Sequence, residues 1–387
     1  MNTNTTKRDK MRLIAAVYLV VMCVQFVPLE GFDNSWIKIG LMALAPFLLI
    51  AYVPKPTLAL IWGALFLAVM VACASLSSYL RGSTIGFSAM YLGMYALFYG
   101  LVYKNVFTID SFIHLLRGLI LAYFIFVVLQ QFTLFIGLHI PFINVVPLDT
   151  YTKVRGLSIE PSHTARIMAC LFYCYMYCLQ LKEGTKLSIK QLFSSGHRKT
   201  TLSFLWVMLT IGSGTAFVAL AILSLFFLSP RTLGYVVPLF GLIGIMLVSL
   251  NIENVQRILL LVDFMSTNDT SELIKNESSG AARILPIINS IQQFDFSSSY
   301  MFGNGTVEVY DETLWKEYLL TRKISIIEQY GFVTWLFSLI FVYKCCIRKV
   351  LSIETALFIV LLSINLGNIY YVWGIMMMFS LLKFFDK

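Results

Sequence analysis

Apolar runs near residues 11–28, 36–53, 57–79, 84–103, 111–138, 161–181, 232–250, 325–343, 353–367 and 369–384 succeed one another along the chain. Most approach the roughly 20 residues that a helix needs to cross a hydrocarbon core of about 30 Å. The composition agrees: of 387 residues, 58% are hydrophobic and only 13% charged, with a mean hydropathy of +0.80. A water-soluble chain carries about twice that charged fraction. No ordinary core hides so much apolar surface, so the solvent is lipid. The expected fold is an all-α polytopic membrane protein, with residues 1–387 forming a single transmembrane domain.

The first run follows Lys7, Arg8, Lys10 and Arg12, as in a signal peptide, but lacks a small-residue cleavage site. Further runs follow, so it reads as a retained first helix, preceded by a disordered NTNTT stub. The cysteines are Cys23, Cys73, Cys170, Cys174, Cys178, Cys345 and Cys346. All fall in spans or in a cytoplasmic loop and imply no disulfide framework. Cys170, Cys174 and Cys178 recur every four residues along one helix face with no His or carboxylate among them, which suits packing better than metal binding.

Basic residues set the topology. Lys7, Arg8, Lys10 and Arg12 place the N-terminus in the cytoplasm. Lys55, Lys104 and the group Lys182, Lys186, Lys190, Arg198 and Lys199 follow the second, fourth and sixth spans, all inside. The net charge of +9 is therefore a topology signal and not a nucleic-acid footprint. The stretch TLSFLWVMLTIGSGTAFVALAILSLFFL (201–228) would reach about 42 Å as one helix. If it breaks at Gly212-Ser213-Gly214 into two passes, Arg231, Lys344, Arg348, Lys349, Lys383 and Lys387 also fall inside. The alternative is one kinked crossing, which puts the later clusters outside. The two-pass reading gives about 12 transmembrane helices with both termini cytoplasmic, and places 139–160 and the long loop 251–324 on the outer side. A loop of that length in a compact protein usually has structure and a role. Within it, SSGAARILPIINSIQQF (278–294) reads as a helix beginning at Ser278 or Ser279, and MFGNGT (301–306) as a tight turn.

One cluster stands out in a chain so poor in charge. Glu160-Pro161 marks a helix start, because proline's missing N–H costs nothing at the first helical position. Arg155 precedes that start, and His163 and Arg166 follow it within two turns. The free N–H groups and dipole of the helix N-terminus favour an anion there. Arg155 and Arg166 supply forked donors for phosphate oxygens, and Glu160 or His163 is placed to take a proton from a hydroxyl. The bland reading is a Glu160–Arg166 pair with His163 filling a polar gap; four such groups at one span end weigh against it. Elsewhere the bland reading is preferred. Gln130 and Gln131 read as interhelical hydrogen bonders. His114 and Arg117 snorkel, and His197 lies on a solvated basic loop. Arg81, in a short outer turn, is left as a substrate-cavity candidate with Arg322 and Lys323.

Arg155-Gly156-Leu157 followed by Glu160-Pro161-Ser162-His163 resembles an element of bacterial Wzy-type polysaccharide polymerases, relatives of the O-antigen ligases. LTIGSGTAFVALAI (209–222) resembles that family's break between paired spans, with Gly214 before Thr215 where the family often has Arg. GAARILPIINSIQQF with FGNGT resembles its second outer loop, and EQYGFVTWLFSLIFV (328–342) its re-entry span. The resemblance implies a GT-C-like polymerase/ligase architecture in the bacterial inner membrane, with the active site facing outward. It also implies joining of oligosaccharide repeat units carried on undecaprenyl pyrophosphate, without metal or cofactor, for O-antigen, capsule or exopolysaccharide. Carried over, Arg155 and Arg283 hold pyrophosphate with Arg166 nearby, Glu160 or His163 serves the acceptor hydroxyl, and a partner protein regulates chain length. Ligases of this superfamily carry a His after the glycine turn; residues 306–324 contain none, and the paired RX10G pattern of some members is absent. The competing expectations are a ligase and, from another class, a lipid-linked oligosaccharide flippase or transporter, against which the long outer loop and the lack of a two-half duplication count.

Overall fold

The computed structural model describes residues 3–24, 36–77, 82–137, 154–227, 278–305, 318, 320–363, 365–367 and 370–387. These residues form helices: α1 (Thr3–Cys23), α2 (Trp36–Tyr52), α3 (Leu58–Leu76), α4 (Gly82–Val102), α5 (Ile109–Phe135), α6 (Pro161–Glu183), α7 (Ile189–Leu192), α8 (Arg198–Thr210), α9 (Gly214–Ser224), α10 (Ser278–Gln292), α11 (Ser298–Phe302), α12 (Ser325–Cys345), α13 (Ile353–Ala356) and α14 (Tyr370–Phe385). No strand occurs among the described residues. Among the described residues, four helical segments are long and apolar enough to cross a membrane: Leu58–Leu76, Ile85–Val102, Ile109–Phe135 and Ser325–Cys345. Ile37–Tyr52, Gly214–Phe227 and Tyr370–Phe385 are shorter apolar helices. Large apolar side chains point outward from the bundle, with Phe47 71%, Ile50 74% and Phe135 88% exposed. A bundle that is apolar outside as well as inside is a membrane protein's, because water would penalise such a surface. The expected span at 232–250 and most of the loop 251–324 lie outside the described residues.

Helices α6 and α14 form the centre. Residues Tyr370 to Leu382 of α14 are all buried, and α6 is buried along most of its length. Helix α14 packs on α1, α4 and α6, while α6 also packs on α5 and α9. A helix that is apolar all round belongs in such a position. Cys170, Cys174 and Cys178 are unbridged and buried there.

Local sequence explains the element ends, with some corrections. Helix α1 begins at Thr3, so the expected disordered stub is helical from that residue. The Arg8 guanidinium donates to the Asn105 carbonyl, and Arg12 Nε donates to the Val106 carbonyl at 2.8 Å. These cations satisfy carbonyls just past the end of α4, where positive charge is favoured. Helix α5 opens with a capping box of Thr108 and Ser111. Helix α8 ends at Thr210, Gly212 is left-handed (φ 67°) and α9 starts at Gly214, so the chain breaks where the Gly-Ser-Gly triplet predicts. His197 is half-buried in its basic loop, where the Tyr175 hydroxyl and His197 Nδ1 hydrogen-bond at 2.7 Å. Gln131 bridges α5 to α8, donating to Thr210 Oγ1 at 2.7 Å and accepting from Trp206 Nε1 at 3.0 Å. The expected helix 353–367 is instead α13 followed by a wide π turn over Leu357–Leu361.

Helix α10 begins at Ser278 and keeps Pro286 within it, as expected. The FGNG turn then docks backbone to backbone against a kink inside α12. Gly303 (φ 87°) and Gly331 (φ 83°, ψ 165°) adopt a region open essentially to glycine alone. The Asn304 N–H donates to the Glu328 carbonyl at 2.8 Å. A Cβ on Gly331 would lie 2.1 Å from the Met301 carbonyl oxygen, and one on Gly303 would lie 2.6 Å from that of Gln329. Both contacts are with backbone, which cannot swing aside. Gly331→Ala is therefore expected to lower stability by about 3 kcal/mol, combining backbone strain with overpacking. Thermal unfolding in detergent checks this; a wild-type midpoint would mean that the clasp contributes little.

A buried charged cluster lies beyond the C-terminal end of α12. The Arg348 and Glu354 side chains pair at 2.5 Å, with 10% and 0% exposure. Arg348 also donates to the Tyr173 hydroxyl at 3.1 Å, lies 3.5 Å from Asp386 Oδ2 and covers the Tyr177 ring at 3.4 Å. Read from sequence as one of several loop cations, Arg348 is instead largely covered, with its guanidinium on a carboxylate in the core.

Candidate functional site

The segment before α6 is fixed by its neighbours in space. Gly156 is left-handed (φ 64°), and a Cβ there would meet Val127 at 3.2 Å and Thr164 Oγ1 at 3.3 Å. Gln130, 1% exposed on α5, accepts the backbone N–H groups of Arg155 (3.0 Å) and Gly156 (2.7 Å) and donates to the Gly156 carbonyl at 2.8 Å. The Thr164 hydroxyl donates to the Arg155 carbonyl. Gln130 thus makes the interhelical bonds expected of it, and they set the backbone that carries Arg155. The Arg155 guanidinium is half-buried and its Nη1 donates to the Ile159 carbonyl at 3.1 Å, which ties it to the turn leading into α6.

Glu160 is the N-cap of α6 with Pro161 at the first position, as the sequence indicates. Its side chain makes no capping bond; its carbonyl accepts the His163 and Thr164 N–H groups at 3.1 and 3.3 Å, and Pro161 has no N–H to offer. The carboxylate is 56% exposed, accepts from the Ser162 hydroxyl at 3.0 Å and lies 3.8 Å from His163 Nε2. Glu160 and Arg166 do not pair. Arg166 Nη1 donates instead to the Tyr371 hydroxyl at 2.7 Å, and its buried Nε has no hydrogen-bond partner among the described residues. The His163 ring lies 4.7 Å from the Tyr371 ring, centroid to centroid. Tyr371, on α14, therefore holds both α6 side chains. Arginine hydrogen-bonded to a neutral phenol keeps its full charge and most of its donors for another acceptor.

The other candidates are not gathered at this point by any contact described. Arg322 lies over the Tyr318 ring, 5.8 Å from its centroid, and Lys323 Nζ is 5.0 Å from that of Tyr300. Both neighbour the α11–α12 clasp and share Glu328 as an electrostatic partner, and Arg322 also acts on Tyr318. Arg283 sits in α10, but its side chain lies outside the described residues, as does Arg81 entirely. No group of three or more metal-ligating side chains converges among the described residues. An apolar cavity of about 380 Å³ opens between α10, α11, α12 and the π turn, lined by Phe294, Tyr300, Ile327, Phe332, Trp335 and Ile359 among others.

No family model, curated protein or solved structure matches the chain. Any functional assignment therefore rests on the chemistry of its own residues. Those residues offer fixed cations and an exposed carboxylate next to an imidazole, at the N-terminal end of a central helix. That set can bind a phosphorylated group and serve a proton from a nearby hydroxyl. Sequence reasoning missed Tyr371, which stands in an aromatic and methionine-rich run with no motif to mark it. Thr164 was visible only as one polar residue between His163 and Arg166.

Proposed function

We propose that the protein is a polysaccharide polymerase of the bacterial cytoplasmic membrane, joining oligosaccharide repeat units carried on undecaprenyl pyrophosphate. In this reading about 12 helices cross the membrane, both termini are cytoplasmic, and the α6 N-terminus with the loop 251–324 faces outward. The observation that carries it is the pair of arginines at the N-terminal end of α6, with Arg166 held by a neutral hydroxyl and not by a carboxylate. A pyrophosphate leaving group needs fixed positive charge where its own charge develops. The apolar cavity beside the α10–α12 unit supports a substrate that carries lipid.

A hydroxyl at the non-reducing end of the incoming unit attacks the anomeric carbon of the growing chain. The bond from that carbon to the phosphate oxygen breaks, undecaprenyl pyrophosphate leaves with the electron pair, and the hydroxyl proton passes to Glu160 or His163. Arg155, Arg166 and Arg283 stabilise the departing pyrophosphate. A partner protein sets chain length.

The test is to incubate purified protein with the host's lipid-pyrophosphate-linked repeat unit and EDTA and resolve the products by gel. A ladder that survives chelation and is lost in Arg155→Ala, with that variant still folded, is the expected result. Normal ladders in Arg155→Ala would refute the assignment of the arginines. Polymer appearing only on a second, non-lipid-pyrophosphate acceptor would instead indicate a ligase. Movement of labelled substrate across proteoliposomes with no new glycosidic bond would indicate a transporter.

A further inference from the structure

Lys38 was not singled out by its sequence, where it is one cation in the first turns of an apolar helix. In the structure it is 3% exposed, and its Nζ lies 3.3 Å from the centroid of the Tyr370 ring. It has no carboxylate partner among the described residues. A ring face compensates an ammonium only in part for the loss of water, and a buried cation in a membrane protein ordinarily has a counter-charge. Tyr370 adds a second open group: it is 7% exposed, and its buried hydroxyl has no hydrogen bond among the described residues.

Tyr370 adjoins Tyr371, the residue that holds Arg166 and faces His163, and the two tyrosine rings meet edge to face at 5.9 Å. Lys38 and Arg166 therefore engage adjacent tyrosines, Lys38 over the Tyr370 ring and Arg166 at the Tyr371 hydroxyl, with no carboxylate on either cation among the described residues. Glu160, the acid at the start of α6, is exposed and turned to Ser162 and His163. We infer that Lys38, Tyr370 and Arg166 form one anion site built to read a diphosphate ester, Arg166 holding one phosphate and Lys38 with the Tyr370 hydroxyl holding the other. The inference rests on the proposed lipid-pyrophosphate substrate for the ligand's identity. It extends that reading from the expected arginines to a lysine on α2 and a tyrosine on α14. A monophosphate satisfies only half of such a site, so the site discriminates by phosphate count as well as by charge.

The experiment uses the full chain in lipid nanodiscs and three probes: farnesyl diphosphate, farnesyl monophosphate and inorganic pyrophosphate. Calorimetry on the wild type is expected to show a preference for farnesyl diphosphate over the monophosphate of about tenfold or more, the scale of one charge-assisted contact. Lys38→Met removes the preference by weakening diphosphate binding alone. Lys38→Arg retains most of it, and Tyr370→Phe, which keeps the ring under Lys38, reduces it. Inorganic pyrophosphate loses affinity in parallel, because Lys38 reads the phosphate whichever molecule supplies it; tighter binding of the farnesyl ester identifies the lipid-borne source. A folded Lys38→Met that keeps the wild-type preference overturns the inference and leaves Lys38 as a packing contact between α2 and α14. If Lys38→Met does not fold, Lys38→Arg and Tyr370→Phe decide: an unchanged preference in Tyr370→Phe together with loss in Lys38→Arg overturns the proposed division of the two phosphates. Gel ladders from the same preparations separate the two readings. Diphosphate binding through Lys38 without polymer would sink the polymerase and keep the site. Polymer with a wild-type preference in Lys38→Met would do the reverse.

Discussion

Glu354→Ala is expected to lower the stability of the protein by about 3–5 kcal/mol, the cost of stranding one member of a buried ion pair. Glu354 is fully buried, and its carboxylate accepts from both the backbone N–H (2.9 Å) and the Nε (2.5 Å) of Arg348. Removing it leaves the Arg348 guanidinium with Tyr173, the Tyr177 ring and an oxygen of Asp386 at 3.5 Å. Asp386 relieves part of the loss, which places the expected value toward the lower end of that range. Replacing both partners together, as Arg348→Met with Glu354→Met, should cost less than the single change, because no charge is then left without water. Chemical or thermal unfolding of the three proteins in the same detergent checks the order. A single variant as stable as the wild type would mean that water or lipid headgroups reach Arg348. Tyr173, midway along α6, ties this cluster to the helix whose first turns carry His163 and Arg166.

The helices were legible wherever a local signal ends them. Glu160-Pro161 starts α6, Thr108 with Ser111 starts α5, and Gly212 stops α8, each through backbone chemistry contained in a few adjacent residues. Helix α1 was misjudged at its N-terminus because the donors that stabilise its first turns reach carbonyls about a hundred positions away. The kink at Gly331 was hidden for the same reason. Its cause is the close approach of Met301, and the sequence shows only a glycine in an apolar run. At the candidate site the charged residues around the start of α6 were legible, since charge is rare in this chain. Their neutral partner Tyr371 and the distant cation Lys38 were not. Tyr371 and Lys38 lie on helices remote in sequence from α6, and a tyrosine in an aromatic run or a lysine near a helix start is unremarkable until packing brings it to Arg166 or to Tyr370. Glu354 was passed over likewise, because a lone carboxylate near a basic loop looks solvated until its burial is known.

Arg166 is where the fold and the proposed chemistry meet, and Arg166→Ala is expected to slow polymer formation by about 10²–10³-fold, the range found on removing a preorganised donor from a developing oxyanion. The structural cost should be small by comparison. Arg166 gives up one described hydrogen bond, to Tyr371, which is worth about 1 kcal/mol. Arg166→Lys keeps the charge but not the planar fork, so an intermediate loss of about tenfold is expected. Tyr371→Phe tests the same point from the other side: it leaves the guanidinium in place, frees its orientation and removes no charge. Its effect should fall on the transfer rate with little change in the amount of lipid-linked substrate bound, whereas Arg166→Ala should weaken both. Initial ladder rates at saturating substrate, set beside binding of the same substrate, separate these outcomes. Wild-type rates in Arg166→Ala would assign the arginine to helix packing and move the pyrophosphate to Arg155 and the loop cations. A rate defect in Arg166→Ala that Tyr371→Phe does not share would show that charge alone, and not its orientation by α14, is what the reaction uses.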